Sequence, residues 1–359
     1  MPLDGLRGHR ELAARLFAEI RTRPSHAYLF SGPRGVGKAL VAQGLAHGIL
    51  CERSPGENFC CTPERCPVRA SAGAAPGGRG RSAEQQSRCD CCSACVQAAL
   101  GVHPDYNYVA RPPNRVDVLI EQVRELIVRL GIKPSRAPIR VAIIDDAETL
   151  NLPAQNALLK TLEEPPGHAL IFMVSSSERA LLDTVRSRAR PVRFAPLAPA
   201  AIEAILITRG TEPGRAGAIA RLARGSAARA LALLAGEEPP VKELLEALAR
   251  AKSLDFVRAQ ALAQEMFANR DQARANLELI ARLLEEILCY KLLRSELAAV
   301  SADTARAMSE LANNLTTDAI AGCLEAALRA SAAIDEMANP RLQAEQWWMT
   351  AGRTMRGEQ

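Results

Sequence analysis

The sequence predicts an α/β protein: a parallel, three-layer domain followed by helical domains. Three observations carry that reading. Short apolar runs alternate with helical patterns through the first half of the chain, the signature of strands joined by crossover helices. A glycine-rich loop, "SGPRGVGK", stands between the first apolar run and a helix. After "PVRFAPLAPAAI" the strand signals cease.

Taken in order, "HAYLF" (His26 to Phe30) reads as a short buried strand. "ALVAQGLAHGIL" (Ala39 to Leu50) reads as a helix with its apolar residues grouped on one face. Residues 52–88 are rich in Gly, Pro, Ser, Arg and Cys, which predicts a mobile surface insertion. Helical spacing returns at Ile120, Val123, Leu126, Ile127 and Leu130. "RVAIIDD" is a buried strand ending in the acids Asp145 and Asp146. "LPAQNALLKTLEEPP" is a helix stopped by two prolines, and "ALIFMVSSS" a strand ending in three hydroxyls. Two helical regions follow, 197–240 and 241–359, the second with "LLEALARA", "LELIARLLEEILCYKLL" and "AIAGCLEAALRASAAIDEMA" as its clearest helices.

Composition agrees. With 359 residues, 48% hydrophobic and 4% aromatic, the chain suits two or three folded domains and excludes a disordered one. A net charge of +5 permits contact with nucleic acid without arguing for it. "MPLDGLRGHRELAARL" lacks the apolar centre of a signal peptide, and no apolar run approaches membrane-spanning length. A cytoplasmic location with no membrane partner is therefore expected. Ten cysteines in that compartment point to metal before disulfides.

Gly32, Gly35 and Gly37 allow the backbone to turn its N–H groups onto a phosphate, and Lys38 is placed to reach the terminal phosphates of ATP or ADP. Magnesium in such sites is held by a Ser or Thr after the lysine and by the Asp after the second strand. Asp145 supplies the second, but position 39 is Ala. Asp146 stands where related ATPases carry a polarising Glu. Its shorter arm sets the carboxylate back by more than about 1 Å, a misplacement that costs roughly a hundredfold. A degenerate ATPase site is expected: binding of ATP or ADP by it stays open, and Ala39 argues against magnesium.

Cys89, Cys92 and Cys95 form a tight thiolate cluster, and Cys51 ends the helix before the insertion. Four thiolates make a closed tetrahedral zinc site, hence a structural one. Cys60, Cys61, Cys66 and Cys91 stand as substitutes or as a second site. Cys289 and Cys323 fall on apolar helix faces and read as core.

The loop, the acid-tipped strand, "NALLKTLEEPP", "VRSRARPVRF", "HPDYNYV" and the cysteine module together resemble the clamp-loader branch of the AAA+ family. The resemblance covers residues 1 to about 235 well, and the rest by length, helicity and "NPRLQAE". It implies a P-loop AAA+ domain at 1–196 with a zinc module at 51–95, a helical lid at 197–240 and a C-terminal helical collar at 241–359. It supports zinc on Cys51, Cys89, Cys92 and Cys95. It makes Arg188, in Ser187-Arg188-Ala189, a finger reaching a neighbouring subunit's ATP; the family's Cys is Ala here. Arg229 is the candidate sensing arginine. The implied role is a largely non-hydrolysing structural subunit of a DNA polymerase holoenzyme that helps load the sliding clamp onto primed DNA. Its partners would be gamma/tau-type ATPase subunits and the delta subunit in a hetero-oligomer, with clamp and primer-template DNA met through the complex. An active gamma/tau-type ATPase and a stand-alone zinc-dependent nucleic-acid binder are the competing readings.

Overall fold

The apolar runs of the first half pair into one parallel sheet. The computed structural model describes residues 8–52, 92–112, 115, 117–235, 241–253, 255–267, 269–293, 297, 302–335 and 338–358. It divides into two units, Met1–Ala198 and Pro199–Gln359. The stretches read as lid and collar lie in the second from Pro199 on, the lid's first two residues, 197 and 198, falling in the first.

In the first unit the strands are β1 (Ala27–Ser31), β2 (Tyr106–Val109), β3 (Arg140–Ile144), β4 (Ala169–Ser175) and β5 (Arg190–Arg193). Their order across the sheet is β2-β3-β4-β1-β5. β1, β3 and β4 are buried at every residue, because helices cover both faces of a parallel sheet. β5 lies at the edge of the sheet, pairs with β1 and carries Pro191, tolerated on an edge because it has no N–H to give.

The pleat sorts alternate residues into two cores. Tyr28, Phe30, Val141, Ile143 and Phe172 face α1 (Arg10–Thr22) and α2 (Lys38–Ile49). Leu29, Ala142, Ile144, Ile171 and Met173 face α4 (Ile120–Gly131) and α5 (Leu152–Glu163). Between these helix pairs in the chain lies the short α3 (Ser93–Ala99), and α6 (Asp183–Arg186) precedes β5. The spacing expected for α4 holds: Val123, Leu126 and Leu130 are buried. Asn151 caps α5 by accepting from the Ala154 N–H. The expectation for α2 needs correction. It is buried at Lys38, Val41, Ala42, Gly44, Leu45, Ala46, His47 and Gly48, on nearly every side rather than one. Its Gly and Ala residues admit neighbours too closely to leave a solvent face.

One buried ion pair fastens the loop before β3. Asp105 is fully buried beside Arg140, with 3.1 Å between charged atoms, and accepts backbone N–H bonds from Ser135, Arg136 and Ala137. Burial alone would raise its carboxyl, but those N–H groups and the Arg140 guanidinium hold it below the usual carboxylate value.

The second unit is helical: α7 (Pro199–Ile207), α8 (Pro213–Leu222), α9 (Ala227–Ala235), α10 (Val241–Arg250), α11 (Phe256–Met266), α12 (Arg270–Leu293), α13 (Ala302–Asn314), α14 (Thr317–Asp335) and α15 (Pro340–Arg356). Trp347 and Trp348 on α15 are fully buried and meet edge to face, centroids 4.6 Å apart. Trp347 Nε1 donates to the Cys323 carbonyl. Cys323 is a core residue as expected, its thiol pushed up to about 12 by burial, while Cys289 is half-buried.

Candidate functional site

The phosphate loop leaves β1 at the carboxyl edge of the sheet, where ligands of open α/β folds bind. Gly32, Gly35 and Gly37 all have positive φ, at 142°, 74° and 100°. A Cβ on Gly32 would lie 2.2 Å from the Phe194 carbonyl oxygen, so the turn admits only glycine. Lys38 opens α2 and is buried. Its Nζ donates to the carbonyls of Gly32 at 2.6 Å and Pro33 at 2.7 Å, which holds the ammonium across the loop. Burial lowers its pKa, against the opposite pull of Glu148 and Asp145. The cradle is thus intact.

The metal side is not. Ala39 packs against the hydrophobic core and offers no oxygen. Asp145 Oδ2 accepts from Tyr108 Oη at 2.5 Å, and its Oδ1 from the Asp146 N–H at 3.0 Å. Asp146 sits at φ 48°, and its carboxylate lies 3.5 Å from the Arg34 guanidinium and 4.0 Å from that of Arg111. Burial raises its pKa, with Arg34 opposing. Glu148 lies 3.9 Å from Arg34 and accepts from Ser176 N–H and Oγ. This donor set does not fit magnesium: one ligand is missing and the other is engaged on both oxygens.

The structure brings the loop residues, Lys38 and Asp145 together as the sequence suggested. It adds Arg34, Tyr108, Arg111 and Glu148, which sequence reading missed. Arg34 lies inside the loop and Glu148 three residues past Asp145, yet nothing in their spacing assigns a partner.

Arg188 lies elsewhere. It just precedes β5, whose first residue pairs with Tyr28 near the start of β1. The loop departs from the other end of β1, about 13 Å away at roughly 3.3 Å per residue. Arg188 is held by Glu163 at 2.7 Å and by the Thr184 carbonyl at 2.9 Å, and its side chain is 35% exposed. It cannot serve its own loop.

Arg229, in the second unit, is buried. It donates to Glu278 and to the Ala275 carbonyl, and Arg274 and Arg282 share the same carboxylate. These contacts, with burial opposing, hold Glu278 below its usual pKa.

Cys51, Cys92 and Cys95 are buried with their sulfurs within 4.8 Å of one another. Cys51 follows the C-cap of α2; Cys92 is the N-cap of α3 and Cys95 lies in its first turn. Tetrahedral zinc at about 2.3 Å per bond sets sulfurs about 3.8 Å apart, and Cys51 and Cys92 are separated by 3.9 Å. Three converging buried thiols fit such an ion. Cys89, Cys60, Cys61, Cys66 and Cys91 lie outside the described residues, as does most of the 52–88 insertion. Arg136 ties this module to the sheet: its N–H is held by Asp105, while its guanidinium reaches Gln97 at 3.1 Å and Glu52 at 3.6 Å.

A five-stranded parallel sheet in this order, with a phosphate loop after β1 and an acid pair after β3, defines a P-loop protein of the AAA+ type. Residues 9–76 and 79–198, more than half the chain, match the family described as DNA polymerase III, delta subunit, and the chain belongs to that family. It is 29% identical over 298 residues to DNA polymerase III subunit delta' of Escherichia coli, covering 82% of this chain and 78% of that one. It is 32% identical over 168 residues to subunit delta' of Pseudomonas aeruginosa, covering 47% and 42%. It is 30% identical over 193 residues to subunit gamma/tau of Mycobacterium tuberculosis, covering 51% and 27%. The alignment thus spans less than half the length of the last two relatives. Among the described residues no helix is long and apolar enough to cross a membrane.

Proposed function

We propose that this chain is a delta-prime-type subunit of a clamp loader, itself non-hydrolysing, which lends Arg188 to the ATP of a neighbouring subunit. The observation that carries this reading is the split between the two ends of the sheet. The chain's own loop keeps its phosphate cradle without a metal-holding set, while a half-exposed arginine stands at the opposite edge. An arginine presents a planar fork of N–H donors suited to a γ-phosphate, and stabilises the charge that develops there during transfer. Glu163 would aim that fork until a neighbour's nucleotide competes for it.

In this reading residues 197–240 form the lid and 241–359 the collar through which the chain joins gamma/tau-type ATPase subunits and the delta subunit. The sliding clamp and primer-template DNA are met through the complex. Zinc on Cys51, Cys89, Cys92 and Cys95 is structural, because four thiolates leave no open coordination position.

The test is a reconstituted loader carrying Arg188→Ala, with Arg193→Ala as the control for general basic charge. The isolated chain should turn over negligible ATP. Arg188→Ala should assemble normally yet lower the loader's ATP turnover in part, since one of several sites faces this chain. Arginine fingers supply roughly 10³–10⁵ at the site they serve. Equal effects from both variants would mean charge alone. The gamma/tau likeness favours one other reading, an active ATPase; steady turnover by the pure chain would establish it instead.

A further inference from the structure

The metal side of the phosphate loop is filled by the chain's own groups. Among the described residues, three carboxylates face this corner, Asp145, Asp146 and Glu148, and a fourth, Glu178, accepts from the hydroxyl of Ser31 at the root of the loop. Three cations stand with them. Arg34 contacts Asp146 and Glu148, Arg111 contacts Asp146, and Lys38 crosses the loop mouth. A magnesium site is built with carboxylate charge left over for the ion. Here that charge is answered from within the chain. Tyr108, from the edge strand β2, adds a hydroxyl to the one acid that would ligate the metal.

The phosphate side, by contrast, is ready. An ammonium has three N–H groups, and loop carbonyls take two of those on Lys38. Gly32, Gly35 and Gly37 give the loop its left-handed turns, and α2 opens directly at its end with Gly37 as N-cap, a helix N-terminus that favours an anion.

We infer that this loop binds a nucleoside di- or triphosphate without a divalent cation, Arg34 taking the charge-neutralising place of magnesium and Tyr108 closing Asp145 to the metal. The inference rests on the non-hydrolysing reading of the site and specifies how it is achieved. Bound nucleotide then brackets the loop between β1 and α2 as a fixed structural part, with no step that turnover would require.

The experiment is a titration of the full-length chain with fluorescent N-methylanthraniloyl-ADP, in excess magnesium chloride and in excess EDTA. The two dissociation constants should agree within about twofold. Arg34→Ala should weaken binding in EDTA by about tenfold, the worth of one charge-assisted contact, and should become responsive to magnesium. Ala39→Thr with Tyr108→Phe supplies the missing hydroxyl and uncovers Asp145; magnesium should then tighten binding about tenfold. Lys38→Ala should abolish binding. Each variant's urea midpoint identifies a folding defect. Tightening of the unaltered chain by more than about tenfold on adding magnesium overturns the inference. So does the absence of binding at millimolar probe, unchanged binding by Arg34→Ala in EDTA, or binding that survives Lys38→Ala. ATP turnover measured on the same preparation keeps the cases apart. A magnesium-dependent constant without turnover overturns only this inference, whereas turnover overturns the non-hydrolysing reading beneath it.

Discussion

Gly32 and Asp105 show how much single positions settle. Gly32 combines a φ of 142° with a Phe194 carbonyl oxygen where a Cβ would go. Gly32→Ala should therefore cost about 2–3 kcal/mol, read as a lower urea midpoint at unchanged slope. Gly37, also left-handed, has nothing within 4 Å of its would-be Cβ, so Gly37→Ala should cost about 1 kcal/mol, from backbone strain alone. Asp105 makes a pH statement. Its folded pKa lies below the unfolded value, so its contribution is fully present above pH ~4 and is lost as pH falls through the folded pKa. Asp105→Asn leaves Arg140 buried without its counter-charge, which costs about 3–5 kcal/mol. Urea midpoints measured from neutral pH down to pH ~3 should fall more gently for the variant than for the parent. Equal slopes would mean that the clasp on residues 135–137 contributes nothing to acid stability.

Elements were legible where local chemistry decides them. The three central strands are continuous apolar runs, and burial on both faces is the one arrangement that hides them all. α4 shows its buried stripe in its spacing. α2 does not, because a helix of small residues enclosed on nearly every side has no polar face to mark its orientation. The site was half legible for a related reason. Loop and acid pair are contiguous motifs. Tyr108 meets Asp145 across neighbouring strands, Arg34 meets Asp146 across more than a hundred residues, and Arg229 meets Glu278 between two helices; only the fold creates those contacts. The cysteine module joins both kinds. Cys92 and Cys95 are neighbours on α3, while Cys51 is brought to them by α2. Removing Cys92 should release the proposed zinc and destabilise the first unit, since structural zinc contributes directly to folding free energy. Metal analysis of freshly purified protein beside Cys92→Ser checks this, and full zinc in the variant would point to Cys91 or the insertion cysteines instead.

At the scale of the whole molecule, two units with separate cores divide the labour that the proposed role requires. The first carries the phosphate loop at one end of its sheet and Arg188 at the other; the second, among the described residues, is built of helices and their connections. The buried Trp347–Trp348 pair turns this division into an optical one. The chain has two tryptophans and four tyrosines, and three of the tyrosines, Tyr28, Tyr106 and Tyr108, belong to the first unit. Excitation selective for indole therefore sees only the second unit. The crossed rings should also couple their transitions into a near-ultraviolet circular dichroism couplet that collapses when α15 leaves its core. During denaturation the indole signal follows the second unit alone, while the tyrosine signal comes mainly from the first, Tyr290 being the one tyrosine of the second. Coincident curves would mean that the two units unfold as one, and separated curves would give each its own midpoint without any label.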